Sequence, residues 1–163
     1  MIINKLDIIL QFIKQNNNMN LKNTNWLAVI ATVIAGGALG YVLYGLLFLD
    51  IWAAGNSITI NLAANEMTKN GVIIKPNDYA MLFNALSTFI YALLMNWLLI
   101  KTNMCNLKGG LTIGLVIGSI MFIGIITGNL FAENPISLSL LDGGCSLLLW
   151  LIIGAIMGGW RKR

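Results

Sequence analysis

No histidine occurs anywhere in the 163 residues of this chain. That absence removes the commonest general base near neutral pH, the usual zinc ligand and the Ser-His-Asp triad. Cysteine is scarce as well. Cys105 and Cys145 are the only two, and no cluster of ligating residues has metal-site spacing. Charged residues make up 10% of the chain, against about 25% in ordinary soluble domains, so the polar surface cannot coat a water-soluble body. No nucleophile–base pair and no Gly-rich phosphate cradle is visible, so the chain reads as a non-enzyme without a cofactor. The net charge is +4, but the basic residues flank apolar stretches and form no surface stripe. A nucleic-acid partner is therefore not expected.

What the chain does have is hydrophobic residues, 58% of the total. Four stretches reach the roughly 20 mostly apolar residues that a membrane crossing needs. They lie at about 26–49, 79–100, 109–131 and 138–160. In lipid a helix satisfies its own backbone, so the pattern predicts an all-α, integral membrane bundle of four transmembrane helices. The polar sequence between the stretches is too short for four buried helices of a soluble protein. The chain divides into a segment at 1–24 and a membrane domain at 25–163.

Orientation follows from Lys and Arg. The N-terminal segment holds Lys5, Lys14 and Lys22, the second link holds Lys101 and Lys108, and the tail holds Arg161, Lys162 and Arg163. With four alternating crossings, all of these share one side. The other side has only Lys69 and Lys75, beside Asp50, Glu66, Asp78 and Glu133. The positive-inside rule then places both termini in the cytoplasm of a cell membrane. Cys105 and Cys145 fall on opposite sides of the bilayer, which forbids a bond within one chain. In the first segment Ile2, Ile3, Leu6, Ile9, Leu10 and Ile13 recur at helical spacing, as in a short amphipathic helix on the inner leaflet. The first outer loop is the one sizeable polar piece. It predicts a short helix over 57–70, stopped by Gly71.

Small residues recur every fourth position on three spans: Thr32, Gly36, Gly40 and Tyr44 on the first, Gly110, Gly114 and Gly118 on the third, and Ser146, Trp150, Gly154 and Gly158 on the fourth. Such seams allow close helix approach in lipid, either within the chain or across a homo-oligomer.

Polar groups in lipid are costly and often functional. Asp142 stands about 27 Å of helix from Trp160, at the outer edge of the hydrocarbon core. Asp50, Asn129 and Glu133 fall at the same outer level. Asn84, Ser87, Thr88 and Tyr91 follow i, i+3, i+4, i+7 spacing on the second span. The functional expectation is an outward-facing site for a cation, a proton or a lipid headgroup, built from Asp50, Asn84, Ser87, Thr88, Asn129 and Asp142. The alternative is structural: Asp142, just before Gly143 and Gly144, caps the fourth helix, while the other groups are solvated or join helices. Neither Asp50 nor Asp142 sits mid-span, as an intramembrane aspartyl protease would require.

Two segments carry a family resemblance. One is Asn25-Trp26-Leu27-Ala28-Val29 and Gly37-Ala38-Leu39-Gly40-Tyr41, followed by Phe48 and Trp52. The other is Leu130-Phe131-Ala132-Glu133-Asn134-Pro135, Leu141-Asp142-Gly143 and Gly154-Ala155-Ile156-Met157-Gly158-Gly159-Trp160. Together they resemble an uncharacterised bacterial membrane family, domain of unknown function 1761. The chain departs from that pattern at Gly40 and at Gly144-Cys145, where bulkier residues are usual. The resemblance implies four membrane helices and no established activity. It adds Trp52 to the candidate site and marks Asp142 again.

Two roles fit these readings. One is a small transporter, channel or lipid-binding protein that uses the outer polar groups. The other is an accessory subunit packed against a larger membrane complex. Lipid is the expected partner in both.

Overall fold

The computed structural model describes residues 24–61, 64, 66–75 and 78–160. The expected amphipathic segment lies outside these residues, apart from Thr24, and so does the basic tail.

Among the described residues, four helices are long and apolar enough to cross a membrane: Trp26–Leu47, Tyr79–Lys101, Leu107–Phe131 and Ile136–Gly159. The first has two parts. An α-helix, α1 (Trp26–Gly40), starts at Asn25, whose side chain accepts from the Ala28 N–H. It continues without a break into a π-helical segment, Tyr41–Leu47. Phe48 leaves helical geometry, and the short helix α2 (Leu49–Gly55) follows. The other long helices are α3 (Asp78–Lys101), α4 (Leu107–Phe131) and α5 (Ile136–Gly159). Each is at least 24 residues long, about 36 Å at the helical rise, which exceeds a hydrocarbon core of about 30 Å. Their large exposed residues are overwhelmingly apolar, as a lipid-facing surface requires.

The loop after α2 differs from expectation. In place of a helix over 57–70 there is a three-stranded antiparallel sheet, with β1 (Ile58–Asn61), β2 (Glu66–Lys69) and β3 (Val72–Ile74) in the order β1-β2-β3. Lys69 pairs with Val72, so Asn70 and Gly71 alone make the β2–β3 turn. Both have positive φ, 51° and 79°. That is the Asn-Gly two-residue hairpin turn whose twist matches the strands it joins. Gly71 is therefore a hairpin residue and does not stop a helix.

Two helices end in the same way. After α3, Asn103 takes φ 56° and the Met104 N–H reaches back to the Leu99 carbonyl at 3.0 Å. After α4, Glu133 takes φ 57° and the Asn134 N–H reaches the Asn129 carbonyl at 2.9 Å. Both close their helix with a left-handed residue and a bond that skips back to the third residue from the end. The second closure lets α5 begin at once behind Pro135, so α4 and α5 form a tight antiparallel hairpin.

That hairpin has the most extensive interface in the chain. A Cβ on Gly110 would lie 2.0 Å from the Gly154 carbonyl oxygen, and one on Gly154 would lie 2.1 Å from the Gly110 oxygen. Gly114 meets the Trp150 carbonyl and Gly158 the Asn106 carbonyl in the same manner. Backbone touches backbone along the seam, which favours dispersion and Cα–H···O contacts. The small-residue seams of α4 and α5 are thus occupied within one chain and cannot serve an oligomer.

Helix α5 also packs on α1 and α3, which pack on each other. The core of Ala28, Val29, Ala92, Met95, Leu99, Ile113, Trp150, Ile153 and Met157 fills the half of the molecule nearest the chain ends. Asn25 Nδ2 bonds the Trp160 carbonyl at 3.0 Å there, and buried Asn96 Nδ2 bonds Thr24 Oγ1 at 3.0 Å. Lys101 and Lys108 flank the α3–α4 link at this same end.

The opposite, sheet-bearing half is looser. Residues 79–84 of α3 are exposed on every side, Tyr79 to 79% and Met81 to 83%, so these turns touch little else in the chain. A Cβ on Gly36 would press on Thr88 at 3.0 Å, whereas one on Gly40, a turn further along the same face, would meet nothing. The α1–α3 seam closes at Gly36–Thr88 and opens beyond it.

Gly110→Ala should therefore lower stability in detergent by about 1–3 kcal/mol, because a methyl group has no space against a carbonyl. Gly40→Ala should be neutral or slightly stabilising. Thermal unfolding followed by circular dichroism checks both; equal effects would mean the seam is not as tight as the backbone distances require.

Candidate functional site

Three polar side chains of the open half, Tyr44, Asn129 and Asn134, gather at Asp142. The residue lies on α5, six positions after its start at Ile136, about 9 Å along the helix axis. Pro135 occupies the cap position. Asp142 is therefore inside the helix and caps nothing, which corrects the structural alternative.

Both carboxylate oxygens accept a hydrogen bond. The Tyr44 hydroxyl donates to Oδ1 at 2.9 Å, and Asn129 Nδ2 donates to Oδ2 at 3.4 Å. Asn134 Nδ2 donates to Asn129 Oδ1 at 3.0 Å. With its oxygen taken, Asn129 can turn only its NH₂ towards Asp142. The positioning comes from three local features. Tyr44 is the fourth residue of the π-helical segment. Asn129 is the third residue from the end of α4, the one whose carbonyl closes that helix. Asn134 follows left-handed Glu133 in the turn. Gly143 brings α4 close, since a Cβ there would press on the Phe122 ring at 2.8 Å.

Cys145, one turn on from Asp142, sits beside the Tyr44 hydroxyl. It also lines an apolar groove of about 410 Å³ between α5 and the chain that runs from the π-helical segment into α2. Leu43, Phe48 and Ile51 form one wall, and Leu140 and Leu148 the other. The groove and the polar cluster are thus separate spaces that share the Tyr44–Cys145 partition.

The expected site residues divide. Asn129 and Asp142 come together. Thr88 is buried against Gly36 and its hydroxyl donates to the Asn84 carbonyl at 2.9 Å, so it joins helices. Asn84 is exposed and Ser87 half-buried on the face of α3 that diverges from α1. Asp50 is exposed in the first turn of α2, and Trp52 is half-buried on the same short helix. Among the described residues, no hydrogen bond joins Asp50, Trp52, Asn84, Ser87 or Thr88 to the cluster. Tyr44 was read only as a seam residue. Its signal was the hydroxyl itself, since a tyrosine within a membrane span needs a partner for its O–H. Asn134 gave no such signal, because a polar residue in a turn needs no partner but water.

The arrangement can hold positive charge. Both donors to the Asp142 carboxylate are neutral groups, which would disperse a negative charge without cancelling it. No group of three or more Cys, Asp or Glu is placed to hold a metal ion among the described residues.

A comparison with curated proteins found no match, and neither did one with solved structures. A family model described as "Protein of unknown function (DUF1761)" matches residues 27–158, which include all four long helices, Tyr44, Asn129 and Asp142. By that match the chain belongs to the DUF1761 family of proteins of unknown function.

Proposed function

We propose that this protein is a non-enzymatic membrane protein that binds a small cation at Asp142 and passes it into or across the outer half of a cell membrane. One observation carries the reading: a carboxylate inside a membrane-length helix has a neutral hydrogen-bond donor on each oxygen. A free ion and the ammonium of a lipid headgroup offer the same positive charge, and the test below separates them. In this reading the sheet faces outward and the termini lie in the cytoplasm, supported by Lys101 and Lys108 at the chain-end side of the helices.

Thermal unfolding in nanodiscs tests it. The protein is compared in Na⁺, K⁺ and choline at equal ionic strength, in phosphatidylcholine and then in phosphatidylethanolamine. A bound ion present at about 100 times its Kd adds about 2.7 kcal/mol, a rise of several degrees in the midpoint. Wild type should show that rise in one salt or one lipid, and Asp142→Asn should lose it. The same ion should enter proteoliposomes bearing wild type and not those bearing Asp142→Asn. If the variant follows wild type under every condition, Asp142 holds no cation.

A second reading, an accessory subunit on a larger membrane complex, draws on a different surface. Gly124 and Gly128 lie four apart on α4, and a Cβ on either would meet nothing within the chain. Purification in mild detergent separates the two readings. A stoichiometric larger partner released by Gly124→Leu would favour the subunit role, and a homogeneous small particle unaffected by that change would count against it.

A further inference from the structure

Seven consecutive residues, Tyr41–Leu47, keep a π-helical register. Well under about 1% of residues in globular proteins are π-helical, mostly in single-turn bulges that are frequent at functional sites. This run exchanges the i→i+4 bonds of α1 for wider i→i+5 bonds, and none of its residues is buried in return. Its attachments are few. The Tyr44 hydroxyl donates to Asp142 at 2.9 Å. The Phe48 N–H closes the last i→i+5 bond on the Leu43 carbonyl at 2.9 Å. Phe48 then turns away at φ −128° and ψ 25°, and α2 and the sheet follow.

Leu43 and Tyr44 are neighbours in sequence. One lines the apolar groove and the other holds Asp142. The register of this segment therefore sets three things together: the bond to the carboxylate, the wall of the groove, and the direction in which α2 leaves. Return to the α register would keep one backbone bond per residue and move all three. Two arrangements with nearly equal bonding are what a bistable element requires.

We propose that Tyr41–Leu47 is a two-register switch, π-helical while Tyr44 holds Asp142 and α-helical when a cation takes the carboxylate, with α2 and the sheet turning as it changes. The switch regulates the site proposed above and rests on that reading. A cation on Asp142 competes with the tyrosine O–H for the same oxygen, so occupancy is felt first at Tyr44. The signal then reaches the sheet through Phe48 and α2.

The test uses the full chain in nanodiscs, labelled with 5-fluorotryptophan, in choline buffer without added metal. Trp52 lies on α2 and is identified by its loss in Trp52→Phe. Trp26 and Trp160 lie at the far end and serve as internal controls. Tyr44→Phe removes the bond and should raise the population of the second register about tenfold, giving a second Trp52 resonance. Deleting Gly45 takes one residue out of the run and should give that second resonance alone. A Trp52 peak in Tyr44→Phe that coincides with the deletion's peak, with Trp26 and Trp160 unmoved, supports the switch. An unchanged Trp52, or movement of all five tryptophans together, overturns it. If the deletion fails to fold, Tyr44→Phe decides alone by the same two outcomes. These arms hold one buffer and one lipid constant and contain no added metal cation, so loss of the cation reading leaves them interpretable, and an unchanged Trp52 beside an intact cation response sinks the switch alone.

Discussion

The contact between the Gly110 and Gly154 backbones is the constraint on which the rest of the molecule depends. Lipid tails offer leucine side chains no reason to leave them, so helices in a membrane gain from close approach more than from burial. Here the approach reaches carbonyl against Cα, and it continues through Gly114 and Gly158. It holds α4 and α5 in one register, and the short turn at Glu133 prevents slippage. Only in that register do Asn129, near the end of α4, and Asp142, near the start of α5, meet. Helix α3 then packs on α5 through larger side chains, with Tyr91 tilted against Trp150 at 5.1 Å, and α1 meets α3 with Trp26 stacked on Phe89 at 6.4 Å.

A division of labour results. The half of the molecule near the chain ends is closed by its core, by Asn25 on Trp160 and by Asn96 on Thr24. The sheet-bearing half has lost that closure. There α3 stands away from its neighbours, α1 gives up its α register, and the polar groups gather. The packed core lies at one end of the helices and the Asp142 cluster at the other.

The sequence carried the helices plainly, because long apolar runs have one outcome in lipid. It carried the glycine seams too, since spacing by four is a property of the helix. It did not carry the sheet. Residues 57–70 lack a helical or alternating pattern strong enough to decide, and Gly71, which suits a helix stop, belongs instead with Asn70 to a two-residue hairpin turn. The π-helical register is invisible, because an apolar run carries no local signal that separates i→i+5 from i→i+4 bonding. Asp142 and Asn129 were legible as polar residues at one depth. Their contact was not, and neither was the placement of Asp142 within α5, since an Asp before two glycines has the look of a cap. Asp50 and Trp52 shared the expected level and yet stand apart, because depth fixes one coordinate of three.

The bond between Asn129 and Asp142 lies within one helical hairpin, thirteen residues apart. Its two members leave the ribosome within seconds of each other and enter the bilayer as one unit. The carboxylate thus has a partner from its own hairpin at the moment it leaves water, before any other helix has to find it. Biogenesis of this chain can deliver a charged side chain into lipid already escorted, with Tyr44, synthesised long before, waiting in the membrane to complete its shell.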